Sequence, residues 1–263
     1  MIGFCPLASG SKGNCIYVGS TKTKILIDAG LSVKTIAAKL NEIGVSLEEI
    51  EAVLITHEHS DHVRGLSTMC AKWGIPVFAN SDTARGICDV LNERLKFKIF
   101  STGETFTFGD LEIHPFSIQH DTLDPVAFTI KCEGRKLGFC ADLGFATTLV
   151  KNALQLCDYL YLEANHEPSM VHACARPLVY KQRVLSRQGH LSNADCAELL
   201  SYVYHEGLKH VHLAHLSSEC NSPDLALKII TEKLLSEGKS VEVSIAYQDK
   251  VSRPIIFETA QVV

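Results

Sequence analysis

No stretch of this 263-residue chain approaches the ~20 consecutive apolar residues that a membrane span needs. Its start, MIGFCPLASGSKGN, lacks a basic segment followed by a long apolar one, so a secretory signal is not expected. Cationic excess is missing too. Lys and Arg number 25 against 30 Asp and Glu, a formal charge of -5, so only a local patch can meet a polyanion. No two of the ten cysteines are spaced C-x-x-C, and a chain of this length needs no disulfide scaffold. Reduced, mostly buried thiols are expected. Flexible linkers, low-complexity tracts and repeats are absent as well. One domain over 1–263 is expected, cytoplasmic, without membrane contact and without an obligate protein partner. The 46% of hydrophobic residues suffices for a globular core.

Short apolar runs at Gly3–Leu7, Cys15–Val18 and Ile25–Asp28, separated by turn residues, read as strands. Ser32 opens a helical stripe through Ile36, Leu40 and Ile43, which Gly44 closes. Ala52–Thr56 is a fully apolar strand, and Asp61–Trp73 reads as one helix ended by Gly74. A strand at Ile75–Ala79 and a helix at Asp82–Arg94 follow. Gly109-Asp110 and Glu133-Gly134 mark two hairpins, joining Phe106–Phe108 to Leu111–Ile118 and Val126–Cys132 to Lys136–Ala141. Strands and helices then alternate over Leu149–Cys157, Tyr159–Glu163, Pro177–Ser186, Ala194–His205, His210–Ala214, Asp224–Ser236 and Val241–Ala246. Early hairpins with later alternation predict an α/β fold of two mixed sheets with helices outside.

Twelve histidines are what the chain has in excess, and they are not scattered. His57-Glu58-His59-Ser60-Asp61-His62 directly follows the apolar strand. Imidazole and carboxylate are the ligands that borderline divalent metals take, zinc above all. His57 and His59, two apart, project to one side of an extended segment, and Asp61 and His62 at a helix start can point back toward them. His120-Asp121, Asp142 and His215, which a family resemblance singles out, also carry such side chains at strand ends. Each also has an ordinary structural role open to it. His120 suits a turn, Asp142 can cap the following helix, and His215 competes with His210 and His212.

His57-x-His59-x-Asp61-His62 after an apolar strand resembles the signature of the metallo-β-lactamase-fold hydrolases. Ser117-Ile118-Gln119-His120-Asp121, Cys140-Ala141-Asp142-Leu143-Gly144 and Leu213-Ala214-His215-Leu216-Ser217 are similar, in order, to that family's later motifs. The resemblance implies a four-layer αββα sandwich and a site for two divalent ions, zinc first, with manganese or iron as alternatives. It implies that one ion is held by His57, His59 and His120 and the other by Asp61, His62 and His215, with Asp142 bridging. Catalysis by Asp61 and Asp142 through water activated between the ions would follow.

Within that family, Leu162-Glu163-Ala164-Asn165-His166 and Gly189-His190-Leu191-Ser192-Asn193 are similar to loops of the RNase Z-like nucleases, and Ser9–Asn14 to the small bacterial YycJ/WalJ exonuclease branch. The resemblance implies a 5′-to-3′ exonuclease acting on nucleic acid, DNA rather than RNA. It makes Ser11, Asn14, His166, Arg183 and His190 substrate-binding candidates, with His190 contacting the phosphate or protonating the leaving oxygen. From Pro168 through Asn193 there is no Asp or Glu, while Arg176, Lys181, Arg183 and Arg187 supply positive charge. Ser192 can instead cap the helix after it, and the Ser9–Asn14 loop can be a plain turn. Only 21 residues separate His120 from Asp142, and 47 separate Asp142 from His190. Neither gap leaves room for the tRNA-binding arm or the large inserted domain of other nuclease branches. A small-molecule hydrolase acting on a lactone, thioester or β-lactam is the alternative, on the same pair of ions.

Overall fold

Alternation along the strands decides the layering. In the computed structural model, which describes residues 1–257, Ile25 and Ile27 join one apolar cluster while Leu26 between them joins another. The period of two along a strand sends neighbours to opposite faces, so a strand apolar at every position must be covered on both sides. The last six residues of the expected domain 1–263 lie outside the described residues.

The first sheet is built from β1 (Gly3–Ala8), β2 (Cys15–Gly19), β3 (Lys24–Ile27), β4 (Ala52–Leu54), β5 (Val77–Ala79) and β6 (Phe97–Ile99) in that order. The second runs through β7 (Phe106–Phe108), β8 (Leu111–Ser117), β9 (Val126–Cys132), β10 (Arg135–Cys140), β11 (Tyr159–Glu163), β12 (His210–Ala214) and β13 (Glu242–Ile245). A short β14 (Ile255–Ile256) returns to pair with β1. Each sheet starts with antiparallel pairing and turns parallel, at β3–β4 in one and β10–β11 in the other. Glu133 and Gly134 both take positive φ, the geometry of a tight hairpin turn.

Helices α1 (Val33–Glu42), α2 (Ser60–Val63), α3 (Leu66–Trp73) and α4 (Ser81–Leu91) cover the outside of the first sheet. Across the second lie α5 (Thr148–Leu154), α8 (Asn193–Val203) and α9 (Pro223–Ser236), whose Leu154, Leu200 and Ile230 pack on Leu160, Leu162 and Val211. Between the sheets, Phe4, Ile27 and Leu54 meet Phe128, Phe139 and Tyr161. Truncating one of these inner phenylalanines to Ala costs about 3–5 kcal/mol. The result is the four-layer αββα sandwich, helices outside two mixed sheets. All ten cysteines are free thiols.

Four elements have no counterpart in the sequence reading: β6, β14, α6 (Pro168–Ala173) and a 3-10 turn at Leu47–Glu49. The first two are short edge strands, with too few residues to display a period. The helix expected over Asp61–Trp73 is two, α2 and α3. Gly65 interrupts them because its N–H bonds the Ala29 carbonyl (2.8 Å), bringing the backbones so close that a Cβ would lie 2.6 Å from the Leu31 carbonyl oxygen. The strand expected to reach Thr56 ends at Leu54, since the Thr56 N–H turns to the Asp28 carboxylate (2.9 Å). The remaining element, α7 (Leu178–Val184), joins α6 over a small cluster of Val171, Val184 and Cys220.

Candidate active site

The C-terminal ends of β3, β4, β8, β10, β11 and β12 converge at one edge of the two sheets, and each delivers a polar side chain at its last residue or within three residues of it. This is where open α/β sheets place their ligands. Asp28, Asp142 and His215 there take φ of 61°, 58° and 52°, a left-handed backbone that costs non-glycine residues about 1 kcal/mol or more each. The chain holds them there because the strand must turn within one residue while its side chain stays pointed into the gap.

The ligand atoms of His57, His59 and His120 lie within 4.8 Å of one another, and so do those of Asp61, His62 and His215. His57, His62 and Asp142 form a third such group, linking the two. The Asp142 carboxylate reaches both sides of the second set, 3.3 Å from His62 Nε2 and 3.4 Å from His215 Nε2. All seven residues of the expected ligand set are thus brought together, four from one loop of the first sheet and three from separate strand ends of the second.

Four of the five imidazoles are held by their other nitrogen. His62 Nδ1–H donates to Asp28 (2.8 Å), and His120 Nδ1–H to the Gly189 carbonyl (3.1 Å). His57 Nδ1 meets the Thr56 hydroxyl at 3.0 Å. His215 Nδ1 lies 3.2 Å from Asn165 Nδ2 and 3.4 Å from Glu163. Such outer partners fix ring orientation and leave the second nitrogen to a cation. The buried Nε2 of His215 has no hydrogen-bond partner among the described residues, which is costly unless something binds it. With imidazoles and carboxylates as donors, the site fits two borderline divalent cations.

The charges agree. Burial works against a charged His62, yet Asp28 and Asp142 raise it well above its ordinary value. Burial also opposes a charged His215, which Asp142 nonetheless lifts to about 10. Asp142 is held well below the carboxylate range by His215 and His62 in spite of its burial. Burial and the neighbouring His62 push His57 well down, so it stays neutral and available as a ligand. Protons on His62 and His215 thus balance the buried carboxylates where cations otherwise would.

A cavity of about 350 Å³ opens over this cluster, lined by Ser11, Asp61, Tyr180, Arg183, His190 and Ser217 among others. Three of the expected substrate contacts, Ser11, Arg183 and His190, therefore face it. Two do not. Asn14 is turned inward, its amide 3.3 Å from Asp61 Oδ2 and 3.0 Å from His62 Nε2, while its oxygen accepts the Gly10 N–H; it braces the ligand loop. His166 is buried, bridges to Ser192 and accepts the Asn193 N–H on its carbonyl, tying down the loop that carries His190. Ser192 does cap α8, accepting the Asp195 N–H (3.1 Å), so that loop serves structure and pocket at once.

Two residues went unread in the sequence. Glu163, fully buried, accepts Leu143 N–H (2.9 Å), Leu191 N–H (3.2 Å) and His190 Nδ1–H (2.7 Å). Asp28 performs the same service for His62 and Thr56. The available signal was a single carboxylate ending an apolar strand, as in Ile25–Asp28 and Tyr159–Glu163, since a buried charge must find partners.

Residues 23–213 match the family described as the beta-lactamase superfamily domain. The exodeoxyribonuclease YycJ of Bacillus anthracis is 35% identical over 90% of this chain and 91% of its own length. The exodeoxyribonuclease WalJ of Streptococcus pneumoniae is 34% identical over 92% of each. Among solved structures, the metallo-β-lactamase fold protein YhfI of Bacillus subtilis superposes with a TM-score of 0.72 at 18% identity, covering 94% of this chain and 97% of that one. Fold, ligand geometry and sequence agree that this chain belongs to the metallo-β-lactamase superfamily, in the branch of the YycJ and WalJ exodeoxyribonucleases.

Proposed function

We propose that this protein is a metal-dependent phosphodiesterase that removes nucleotides from the 5′ end of DNA. The observation that carries this reading is the convergence, on one cavity, of the paired ligand sets with His190 and Arg183. A cation at that wall suits a phosphodiester, which carries negative charge from the bound state through the transition state. The named activity of the YycJ and WalJ relatives supports the same choice.

His57, His59 and His120 would hold one divalent cation and Asp61, His62 and His215 the other, with Asp142 between them; zinc suits the donors best. Such ions supply Lewis acidity toward a phosphate oxygen and lower the pKa of water. The chain's own residues do the rest. Glu163 fixes His190 by Nδ1, which leaves Nε2 as the nitrogen free to carry a proton to the leaving oxygen. Arg183, at the cavity wall, offsets charge on the non-bridging oxygens. The two backbone N–H groups bound by Glu163 hold the loops after β10 and before α8 at fixed spacing, so His190 and Asp142 keep their distance of 3.5 Å.

The test is degradation of a 5′-phosphorylated, 3′-labelled duplex DNA with added Mn²⁺ or Zn²⁺, wild type against Asp61→Ala. Progressive shortening from the 5′ end by wild type alone is expected. Intact DNA with metal demonstrably bound would rule out the DNA exonuclease, and RNA would be the next substrate.

A further inference from the structure

Asp121 occupies an odd place for a carboxylate: beside a cavity assigned to an anionic substrate. Its Oδ1 lies 3.5 Å from His120 Nε2 and 3.7 Å from His59 Nε2, and its Oδ2 accepts a hydrogen bond from Arg183 Nε at 2.5 Å. Burial works against its charge, yet Arg183 and His120 hold the carboxyl below its ordinary range. The mode of the Arg183 contact matters. Binding through Nε uses the side of the guanidinium, and neither Nη group has a hydrogen-bond partner among the described residues. A guanidinium anchored by Nε alone keeps the two Nη donors of its fork for a second anion. Arg183 extends from α7, is 58% exposed and lines the cavity, so an unanchored side chain would sample many rotamers there.

We propose that Asp121 is a positioning residue: it acts as a strut that fixes Arg183 at the cavity wall, with its Nη pair presented to a phosphate of the bound strand. This rests on the phosphodiesterase reading and names the group that orients the cation. The same pairing neutralises Asp121, which otherwise would repel the substrate from the mouth of the site. Two opposite effects therefore meet in one carboxylate, and the presence of Arg183 decides which prevails. With Arg183 in place, losing the strut outweighs losing the repulsion. Without Arg183, only the repulsion is left.

The experiment is a double-mutant cycle read by fluorescence anisotropy on metal-loaded protein. The probe is a short, single-stranded, 5′-phosphorylated DNA with phosphorothioate linkages and a 3′ fluorophore. Asp121→Asn is expected to weaken binding about three- to tenfold, and Arg183→Gln about ten- to a hundredfold. Adding Asp121→Asn to Arg183→Gln is expected to tighten binding about two- to fivefold, a reversal of sign. Metal content per chain should stay at the wild-type value in all three variants. If Asp121→Asn leaves binding unchanged or tightens it in the wild-type background, or weakens it equally in both backgrounds, the strut is wrong. Loss of metal from Asp121→Asn would make the residue a ligand instead and overturn the assignment. Cleavage of the matching phosphodiester DNA by wild type is scored separately. Its absence would sink the proposed activity, while the binding cycle still decides the strut.

Discussion

Asp28→Asn isolates what an outer partner contributes to the metal site. Asp28 is buried at 4% exposure, and its carboxylate accepts the His62 Nδ1–H at 2.8 Å, the Thr56 N–H at 2.9 Å and the Thr56 hydroxyl. Asparagine keeps the volume and tolerates the φ of 61°, so the backbone has no reason to move. One amide oxygen can still take the Thr56 N–H. The other end, however, becomes an NH₂ facing His62 Nδ1, a donor against a donor. Relief requires His62 to shift its proton to Nε2, the nitrogen that faces Asp142 and the cation site. A ligand protonated at its ligating atom binds no metal, so cation binding must now carry the cost of restoring the unfavourable tautomer. Outer-shell losses of this kind weaken metal affinity about 10–100-fold, or about 1.4–2.7 kcal/mol. Competition between each protein and a chromophoric zinc chelator measures this, with circular dichroism confirming an unchanged fold. Equal affinity of variant and wild type, within about twofold, would show that Asp28 does not set the His62 tautomer.

Other outcomes follow from the same geometry. His190→Ala should lower turnover by about 10²–10⁴ with metal content intact. Glu163→Gln should lower stability as well as turnover, because one amide oxygen cannot accept from both His190 Nδ1 and the Leu143 and Leu191 N–H groups. Loss of metal in His190→Ala would assign that histidine to the ligand set instead. His212 is buried on β12 against Phe4, and burial followed by the neighbouring His210 depresses it to about 3. The unfolded chain takes up that proton below pH ~6.5 and the folded one does not. Its contribution to stability is therefore complete above that pH and falls by about 2–3 kcal/mol by pH ~4.5. His212→Gln should flatten this acid limb in denaturant titrations, and parallel losses in both proteins would refute it. Gly30→Ala should abolish tight metal binding, since a Cβ there lands on the Asp61 carbonyl and presses on Asn14. A stable, metal-replete variant would show that the ligand loop can give way.

The first cluster of candidate ligands was legible because its chemistry is dense: four ligand-capable residues fall in six positions. His120, Asp142 and His215 were candidates only through the family resemblance, and the structure brings all seven together. The hairpins were legible for a related reason: Glu133-Gly134 needs a turn that only a few residues accept. What stayed hidden depended on distance in sequence. Asp28 meets His62 across 34 residues and Asn14 meets His62 across 48, and neither partner alters the local pattern. Asn14 read as a substrate contact because its loop is polar and glycine-rich, a composition that suits an exposed loop and an inward brace equally. The break at Gly65 was hidden too, since α2 and α3 carry a continuous helical stripe and only the approach of Ala29 interrupts it. Local chemistry is readable wherever a residue type has few uses; orientation is fixed by neighbours that the period cannot show.

The two sheets repeat one plan, antiparallel first and parallel after, and the site sits where their parallel halves end together. That arrangement has an energetic consequence. The first sheet contributes His57, His59, Asp61 and His62, and the second His120, Asp142 and His215, so each of the two expected ligand sets draws on both sheets. Cations bound there join the layers through groups that are otherwise mutually repulsive, His57 against His62 in one half and Asp142 against Glu163 in the other. Without cations the same groups are balanced by protons on His62 and His215, a weaker compensation that is withdrawn as pH rises toward the His215 value of about 10. Metal binding and sheet-to-sheet packing are therefore one equilibrium. A chelator should lower the melting temperature of the loaded protein by an amount that grows with pH, because fewer protons then remain to take the place of the ions.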